Sequence, residues 1–232
     1  MRLLRFLLLV LVARPLAVLM TGADVSGRER LPLKGPAIIA ANHASHVDTL
    51  LMLSIFPSRA VSKLRPAAAA DYFLRDPVIG WFSRHVIGIV PVARSKAGRR
   101  AAQGLGQGEG EDVLAPARAA LAAGEIVLVF PEGTRGDGAS DAMGQLKGGV
   151  ARLAEAFPEA PVIPVWIQGA GRVLPKGASV PVPLNCAVLV GEPVAWTGKR
   201  TAFMDALREA MLALKAQAPP LRWSDEADDK EI

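Results

Sequence analysis

A histidine and an aspartate lie five positions apart in the segment NHASHVD, residues 42–48. In a regular helix five residues rotate by about 500°, which would leave these two side chains roughly 140° apart. They can meet only if His43 precedes a helix that Ser45 caps and that carries Asp48 in its first turns. The carboxylate would then bind one imidazole nitrogen and leave the other free to act as a general base.

Such a base would have no protein nucleophile to activate. The pattern G-x-S-x-G appears nowhere in the chain, and the single cysteine, Cys186, lies in an apolar stretch that is typical of a small buried core residue. One cysteine also excludes an intrachain disulfide and fits a reducing compartment. A histidine base without a nucleophile is suited to deprotonating a substrate hydroxyl, which then attacks directly.

A second polar segment, Phe130 to Arg135 (FPEGTR), follows the strongest predicted strand, and Lys147 lies a short distance beyond it. A backbone amide at Gly133, the guanidinium of Arg135 and the ammonium of Lys147 would together form a phosphate site. Arg94, just beyond another predicted strand, would add a cation if the two strands are neighbours. On its own, it would be assigned to the solvated surface.

Short apolar runs alternate with helical stretches along the chain, and these elements must position the polar segments. We predict strands at 36–41, 65–70, 88–92, 125–130, 162–167 and 187–190, and helices at 46–56, 77–85, 113–123, 147–157 and 201–216. This alternation predicts an α/β fold, in which a mixed, largely parallel sheet is flanked by helices and the chemistry lies where strands end. The globular domain is predicted over residues 26–218, followed by a flexible acidic tail at 219–232.

Composition narrows the partners of this domain. Hydrophobic residues make up 51% of the 232 positions and charged residues 21%, a balance that predicts a globular body with a membrane-contacting part. The 27 basic and 22 acidic residues give a net charge of +5, which favours acidic lipid headgroups or phosphorylated substrates. Nucleic acid is set aside as a partner, because aromatic residues are only 5% and no basic run is interleaved with them.

The first 20 residues, MRLLRFLLLVLVARPLAVLM, are apolar but carry Arg14 and Pro15 near their middle. A charge and a helix breaker argue against a simple spanning helix, which needs about 20 mainly apolar residues. A secretory signal peptide is disfavoured because no A-x-A-like cleavage site follows. We expect residues 1–25 to form a membrane-interface anchor whose arginines reach lipid headgroups. A helix packed on the protein's own core stays open as the alternative.

Four segments resemble the conserved blocks of the glycerolipid acyltransferase family, which includes 1-acylglycerol-3-phosphate acyltransferases. NHASHVD matches the family's NHxxxxD block, and GIVPVAR, FPEGTR and PVIPVWI resemble its other three blocks in the family's order. The resemblance implies a glycerolipid acyltransferase fold around an enzyme that moves an acyl group from acyl-CoA or acyl carrier protein to a lysophospholipid hydroxyl. The expected acceptor is 1-acyl-sn-glycerol-3-phosphate, which would give phosphatidic acid, and the expected place is the cytoplasmic face of the cell inner membrane.

The resemblance also implies roles for individual residues. His43 would be the general base and Asp48 its orienting partner, while the block around Pro164 would lie near the acyl chain. The acceptor's glycerol phosphate would be bound by four residues of the second and third blocks, Arg94, Glu132, Gly133 and Arg135. Thr134 within the third block and Lys147 beyond it are further candidate substrate-binding residues. One departure concerns the acceptor, because many family members have an acidic residue where this chain has Ala93. A related acceptor such as lyso-ornithine lipid is therefore the alternative.

Two other classes of function were weighed against acyl transfer. A metallohydrolase could use His43, His46 and Asp48, but the chain has only three histidines, the third being His85, and Thr49 prevents an H-x-H-x-D-H pattern. We therefore expect no metal and no cofactor other than the acyl donor as co-substrate. A catalytically silent lipid-binding protein would have lost the base or its partner, and both are present.

Overall fold

A computed structural model describes residues 6–45, 47–69, 83, 87–92, 112–134, 143–174 and 180–220 of the chain. An N-terminal helix contains a π-helical stretch, Leu9–Ala13, and continues as α1, Arg14–Thr21. The described elements that follow are β1 (Asp24–Ser26), a 3-10 turn (Arg28–Arg30), β2 (Ala37–Ala41), α2 (Val47–Ile55), α3 (Ser58–Val61), β3 (Leu64–Ala69), β4 (Val90–Val92), α4 (Ala115–Ala122), β5 (Ile126–Val129), α5 (Gly149–Ala156), β6 (Val162–Gln168), α6 (Ala170–Val173), β7 (Ala187–Val190) and α7 (Arg200–Gln217).

The seven strands form one sheet in the order β1-β7-β6-β2-β5-β3-β4. All neighbouring pairs are parallel except β6 and β7, which are antiparallel. Strand β2 is central, with β5 on one side and β6 on the other. The carboxyl ends of β2 and β5 therefore meet at the same edge, and the segments after them can form one site.

Strands β2, β5, β6 and β7 are mostly buried, which explains why they are continuous apolar runs rather than alternating ones. Every residue of β2 is buried, and successive side chains point to opposite faces. Ile39 packs on one face, against α2, in a core that includes Leu51 and Phe56. Ile38 packs in a second core with helices α4, α5 and α7, which includes Leu153 and Phe203. Two apolar layers thus fix the central strand from both sides.

The predicted fold class is confirmed: the sheet is mixed, mostly parallel and flanked by helices. Every predicted strand, and each predicted helix within the described residues, is present with ends shifted by no more than a few residues. The helix predicted at 77–85, apart from Ser83, and the acidic tail beyond 220 lie outside the described residues. The sequence reading omitted β1, α3 and α6, which have only three or four residues each. The domain boundaries themselves stay a prediction.

The N-terminal helix packs one face on the body of the protein and leaves the other exposed. Ala13 and Ala17 are buried, whereas Leu11 and Leu19 are 66% and 75% exposed. Pro15 does not end the helix: it lies directly after the π-helical stretch Leu9–Ala13, where the helix changes from π to α geometry. Within the described part of the chain, no helix is both long and apolar enough to cross a membrane.

Arg14 does not extend to the surface as we expected for an anchor arginine. Its guanidinium donates hydrogen bonds to the carbonyl of Ser54 at 2.8 Å, to the carbonyl of Phe56 and to the hydroxyl of Ser58 at 2.7 Å. The two carbonyls lie at the end of α2, where backbone carbonyls lack helical partners and carry a partial negative charge, and Ser58 is the first residue of α3. Burial lowers the pKa of Arg14, and the nearby charge of Arg28 lowers it further. The charge that interrupts the apolar segment thus joins α1 to α2.

Candidate active site

His43 and Asp48 meet in the turn between β2 and α2. The helix begins at Val47, after His43, and the His43 Nδ1 lies 2.9 Å from the Asp48 Oδ2. Asp48 is fully buried, and the His43 side chain is 15% exposed. Because an ionised carboxylate only accepts, Nδ1 carries the proton and Nε2 has the free lone pair. No hydrogen bond to Nε2 is found among the described residues, so this nitrogen is available to a substrate.

The same carboxylate oxygen also holds the backbone of the turn. Asp48 Oδ2 accepts the N–H groups of Ala44 at 2.8 Å and Ser45 at 2.9 Å, in addition to the imidazole. The other oxygen, Oδ1, is buried and has no hydrogen-bond partner within the described ranges. A buried carboxylate with three donors on one oxygen fixes both the turn and the orientation of the ring.

Two further residues of the NHASHVD segment fasten this turn to the sheet. The Asn42 side chain donates to the Ile167 carbonyl at 2.9 Å and accepts the Ile167 N–H at 2.6 Å, which extends the pairing of β2 with β6 by one residue. The Ser45 hydroxyl donates to the Leu174 carbonyl at 2.9 Å and accepts the Val47 N–H at 3.3 Å. Ser45 therefore contacts the start of α2 as predicted, whereas the long-range partners left no signal in the sequence.

Cys186 lies near this pair but is not a nucleophile. It is buried, and burial raises the pKa of its thiol to about 12, with a smaller contribution from the negative charge of Asp48. A thiol with such a pKa is protonated at neutral pH and unreactive. This agrees with the sequence-based interpretation of Cys186 as a core residue.

The segment after β5 contacts His43 from the opposite side. The Phe130 ring stacks on the imidazole, with 4.2 Å between ring centroids and 22° between ring planes. Glu132 is buried, and its Oε1 accepts the N–H of His43 at 3.0 Å, while its Oε2 accepts the N–H of Gly144 at 2.9 Å. The structure therefore directs the Glu132 carboxylate at the backbone.

The predicted phosphate site is assembled only in part within the described residues. Lys147 is exposed and its side chain covers Gly133, because a Cβ built on that glycine would lie 2.7 Å from the lysine Nζ. The N–H of Gly133 donates to the Phe130 carbonyl at 3.0 Å, so this amide closes a turn instead of facing a ligand, in contrast to our expectation. Thr134 is exposed beside them. Arg94, Arg135 and also His46 lie outside the described residues.

A cavity of about 310 Å³ opens next to this segment. Apolar side chains from three strands and two helices form most of its wall, among them Ala67, Leu114, Val129, Phe130 and Val150, and Lys147 and Arg152 supply its cations. Phe130, which stacks on the imidazole, also lines this cavity. None of the lining residues comes from the block around Pro164, which instead packs against Gly191 and Leu214.

Arg152 was not singled out from the sequence. Its guanidinium donates to the Asp112 carboxylate at 3.0 Å, and Arg118 donates to the same oxygen. The pKa of Asp112 is lowered, first by a hydrogen bond from the Leu114 backbone and then by these two arginines. Asp112 thus orients Arg152 at the cavity wall. The only signal in the sequence was a second cation five residues after Lys147.

The chain is similar to proteins of a known family. The family described as Acyltransferase matches residues 22–168. A relative from Brassica napus, 1-acyl-sn-glycerol-3-phosphate acyltransferase BAT2, chloroplastic, is 31% identical over 158 residues, which is 67% of this chain and 40% of the relative. A 1-acyl-sn-glycerol-3-phosphate acyltransferase from Chlamydomonas reinhardtii is 30% identical over 190 residues, which is 81% of this chain and 51% of the relative. The chain therefore spans about half the length of these relatives or less.

One solved structure shares the fold. The 1-acyl-sn-glycerophosphate acyltransferase PlsC from Thermotoga maritima superposes with a TM-score of 0.68 at 24% sequence identity, covering 95% of this chain and 81% of that chain.

Proposed function

The chain belongs to the acyltransferase family, and from this premise we propose that it moves a fatty acyl group from a thioester donor to the free hydroxyl of a lysophospholipid. The proposed acceptor is 1-acyl-sn-glycerol-3-phosphate and the product phosphatidic acid, in keeping with the names of its relatives. The observation that carries the proposal is the His43–Asp48 pair, whose Nε2 has no hydrogen-bond partner among the described residues and whose nearby thiol, Cys186, is protonated.

The chemistry follows from the state of the imidazole. As the acceptor oxygen attacks the thioester carbonyl, Nε2 of His43 takes its proton, and the buried carboxylate of Asp48 stabilises the resulting imidazolium. The tetrahedral oxyanion then collapses, the carbon–sulfur bond breaks, and the leaving thiolate takes the proton back from Nε2. The acyl group passes directly to the acceptor oxygen, so no acyl-enzyme forms.

The surroundings of the base support an anionic acceptor with an apolar tail. Lys147 offers an exposed ammonium beside Gly133, and we assign the acceptor's phosphate to it together with Thr134, Arg94 and Arg135. The cavity beyond Phe130 is mostly apolar and is of the type that binds aliphatic chains. We assign an acyl chain to this cavity. The assay below compares the two candidate donors, acyl-CoA and acyl carrier protein.

We also propose that the N-terminal helix lies in one leaflet at the cytoplasmic face of the inner membrane. Its exposed side presents Leu11, Val12, Val18 and Leu19, which would be covered by lipid. This helix packs against α2, which carries Asp48 in its first turn.

The test is a transfer assay read by mass spectrometry. Purified protein is offered acyl-CoA or acyl carrier protein donors against a panel of lysolipids that includes lysophosphatidic acid and lyso-ornithine lipid. We expect phosphatidic acid as the main product and a loss of about 10² to 10⁴ in rate for His43→Ala, with the fold retained. Full activity of that variant, or a stable acylated protein during turnover, would contradict the proposal.

A further inference from the structure

Glu132 is more buried than expected for a residue that the family resemblance implies in binding the acceptor. It is only 6% exposed, and each of its two oxygens accepts a backbone N–H. Oε1 binds the amide of His43 at 3.0 Å and Oε2 binds the amide of Gly144 at 2.9 Å. The carboxylate thus connects the turn that carries the base to a separate segment of chain.

Together, two buried carboxylates accept three successive amides of this turn. The N–H of His43 goes to Glu132, and the N–H groups of Ala44 and Ser45 go to Asp48. Backbone groups hydrogen-bonded to charged, buried acceptors are held more firmly than neutral pairs. Glu132 therefore fixes the backbone of His43 through its N–H group. Asp48 and the stacking on Phe130 fix the imidazole ring.

We propose that Glu132 is a positioning residue for the general base and not a ligand of the acceptor. The role of His43 as the general base rests on the proposed function, whereas the positioning of His43 by Glu132 does not. Two physical arguments favour this role over acceptor binding. Both oxygens already have donors, and a carboxylate beside a phosphate would repel it, whereas the exposed ammonium of Lys147 would attract it.

Two variants perturb Glu132 in different ways. Glu132→Gln keeps the size but has a single acceptor oxygen, so its NH₂ group must face one of the two backbone N–H groups. Gly144→Ala leaves Glu132 itself unchanged. It adds a Cβ that would lie 2.7 Å from the Glu132 Oε2, so the carboxylate must move. Glu155→Gln is the matched control, because it makes the same charge change in an exposed pair with Arg200.

The first readout needs no substrate. In the free protein, the proton on His43 Nδ1 should give a downfield NMR signal because it is hydrogen-bonded to Asp48, and the signal is assigned by its absence from His43→Ala. We expect this signal to shift or broaden in Glu132→Gln and in Gly144→Ala, and to remain in Glu155→Gln. An unchanged signal in both test variants would overturn the proposal, whatever the activity of the enzyme.

The second readout separates positioning from binding. For Glu132→Gln we expect kcat to fall about 10- to 100-fold, because a small misplacement of a catalytic group is costly. KM for the lysolipid should stay within about twofold, since no ligand contact is lost. A raised KM with unchanged kcat would instead make Glu132 an acceptor ligand and overturn the proposal. If wild-type protein transfers no acyl group, the proposed function fails, and the NMR signal alone decides the role of Glu132.

Discussion

Replacing Asp48 by Asn removes a charge from the centre of the site and preserves its shape. The Asn oxygen can take the place of Oδ2 and still accept the N–H groups of His43 Nδ1, Ala44 and Ser45. Its NH₂ group then occupies the position of Oδ1, which has no hydrogen-bond partner in the described part of the chain. The turn and the ring should therefore keep their geometry, and the main loss is the negative charge that stabilises the imidazolium.

The size of that loss follows from the distance. With Nδ1 and Oδ2 2.9 Å apart, the centres of the two charges are separated by roughly 4 Å, which at an effective dielectric constant of about 20 gives about 4 kcal/mol. This corresponds to a loss of about 10³ in kcat. Three hydrogen bonds become neutral, at about 1 kcal/mol each, but removal of a buried charge offsets part of that cost. The fold should survive.

The assay compares Asp48→Asn, His43→Ala and the double variant by initial rates of acyl transfer, with thermal unfolding as the check on folding. Because the carboxylate acts through the imidazole, the double variant should be no slower than His43→Ala alone. Losses that multiply in the double variant would show that Asp48 acts on the substrate independently. A rate for Asp48→Asn within about tenfold of wild type would also refute the reasoning, since the Coulomb interaction of two charges so close is expected to be larger.

Four further outcomes are expected. Arg14→Met removes the donors that join α1 to the end of α2, so the free energy of unfolding in a denaturant titration should fall by about 2 kcal/mol, and an unchanged value would contradict the buried hydrogen bonds. Leu11→Ser combined with Leu19→Ser should weaken binding to anionic vesicles by at least about tenfold in a flotation assay, with unfolding unchanged because both side chains are exposed. Lys147→Gln should raise KM for lysophosphatidic acid about 10- to 100-fold at similar kcat, and an unaltered KM would remove Lys147 from the acceptor site. Cys186, whose pKa is raised to about 12 by burial, should resist iodoacetamide at pH 8 in the native protein and react once the chain is unfolded, as followed by intact mass.

The sequence was sufficient for the main sheet because its strands are buried on both faces. Runs such as 126–130 and 162–167 are apolar without interruption, which is the pattern of a central parallel strand. Strand β1 has no such pattern, since it is short and its three residues, Asp24–Ser26, pair only with β7 at the edge of the sheet. Its pairing depends on where β7 lies, and no local signal specifies that.

Arg14 shows a second limit of reading a sequence locally. An arginine within an apolar helix is compatible with a headgroup contact or with an internal partner, because both satisfy the guanidinium. The distinction depends on acceptors 40 to 44 residues away, at the end of α2. The prediction of an interfacial helix does not depend on this residue, since the exposed leucines lie on the opposite side from the buried Ala13 and Ala17.

The geometry of the base was predictable, whereas the roles of its neighbours were not. The sequence shows directly that His43 and Asp48 are five residues apart. At that spacing, helical rotation alone required His43 to precede α2. Glu132 is separated from His43 by 89 positions, and only the adjacency of β2 and β5 brings them together. Glu132 lies three residues before Arg135 in the sequence. From the sequence alone, its carboxylate is equally compatible with binding a ligand and with accepting backbone N–H groups.

These contacts divide the polar residues of the two segments into two groups. Asn42, Ser45 and Glu132 use their side chains to hold main-chain groups, and Asp48 holds both main chain and imidazole. Among the described side chains of NHASHVD, Nε2 of His43 is the group left to react. Since main-chain positioning is independent of which lipid is bound, substituting these residues should impair every acceptor alike. Discrimination between lysolipids must then come from groups that face the cavity and its mouth, which is why a change of acceptor is to be sought at exposed cations such as Lys147 and not within NHASHVD.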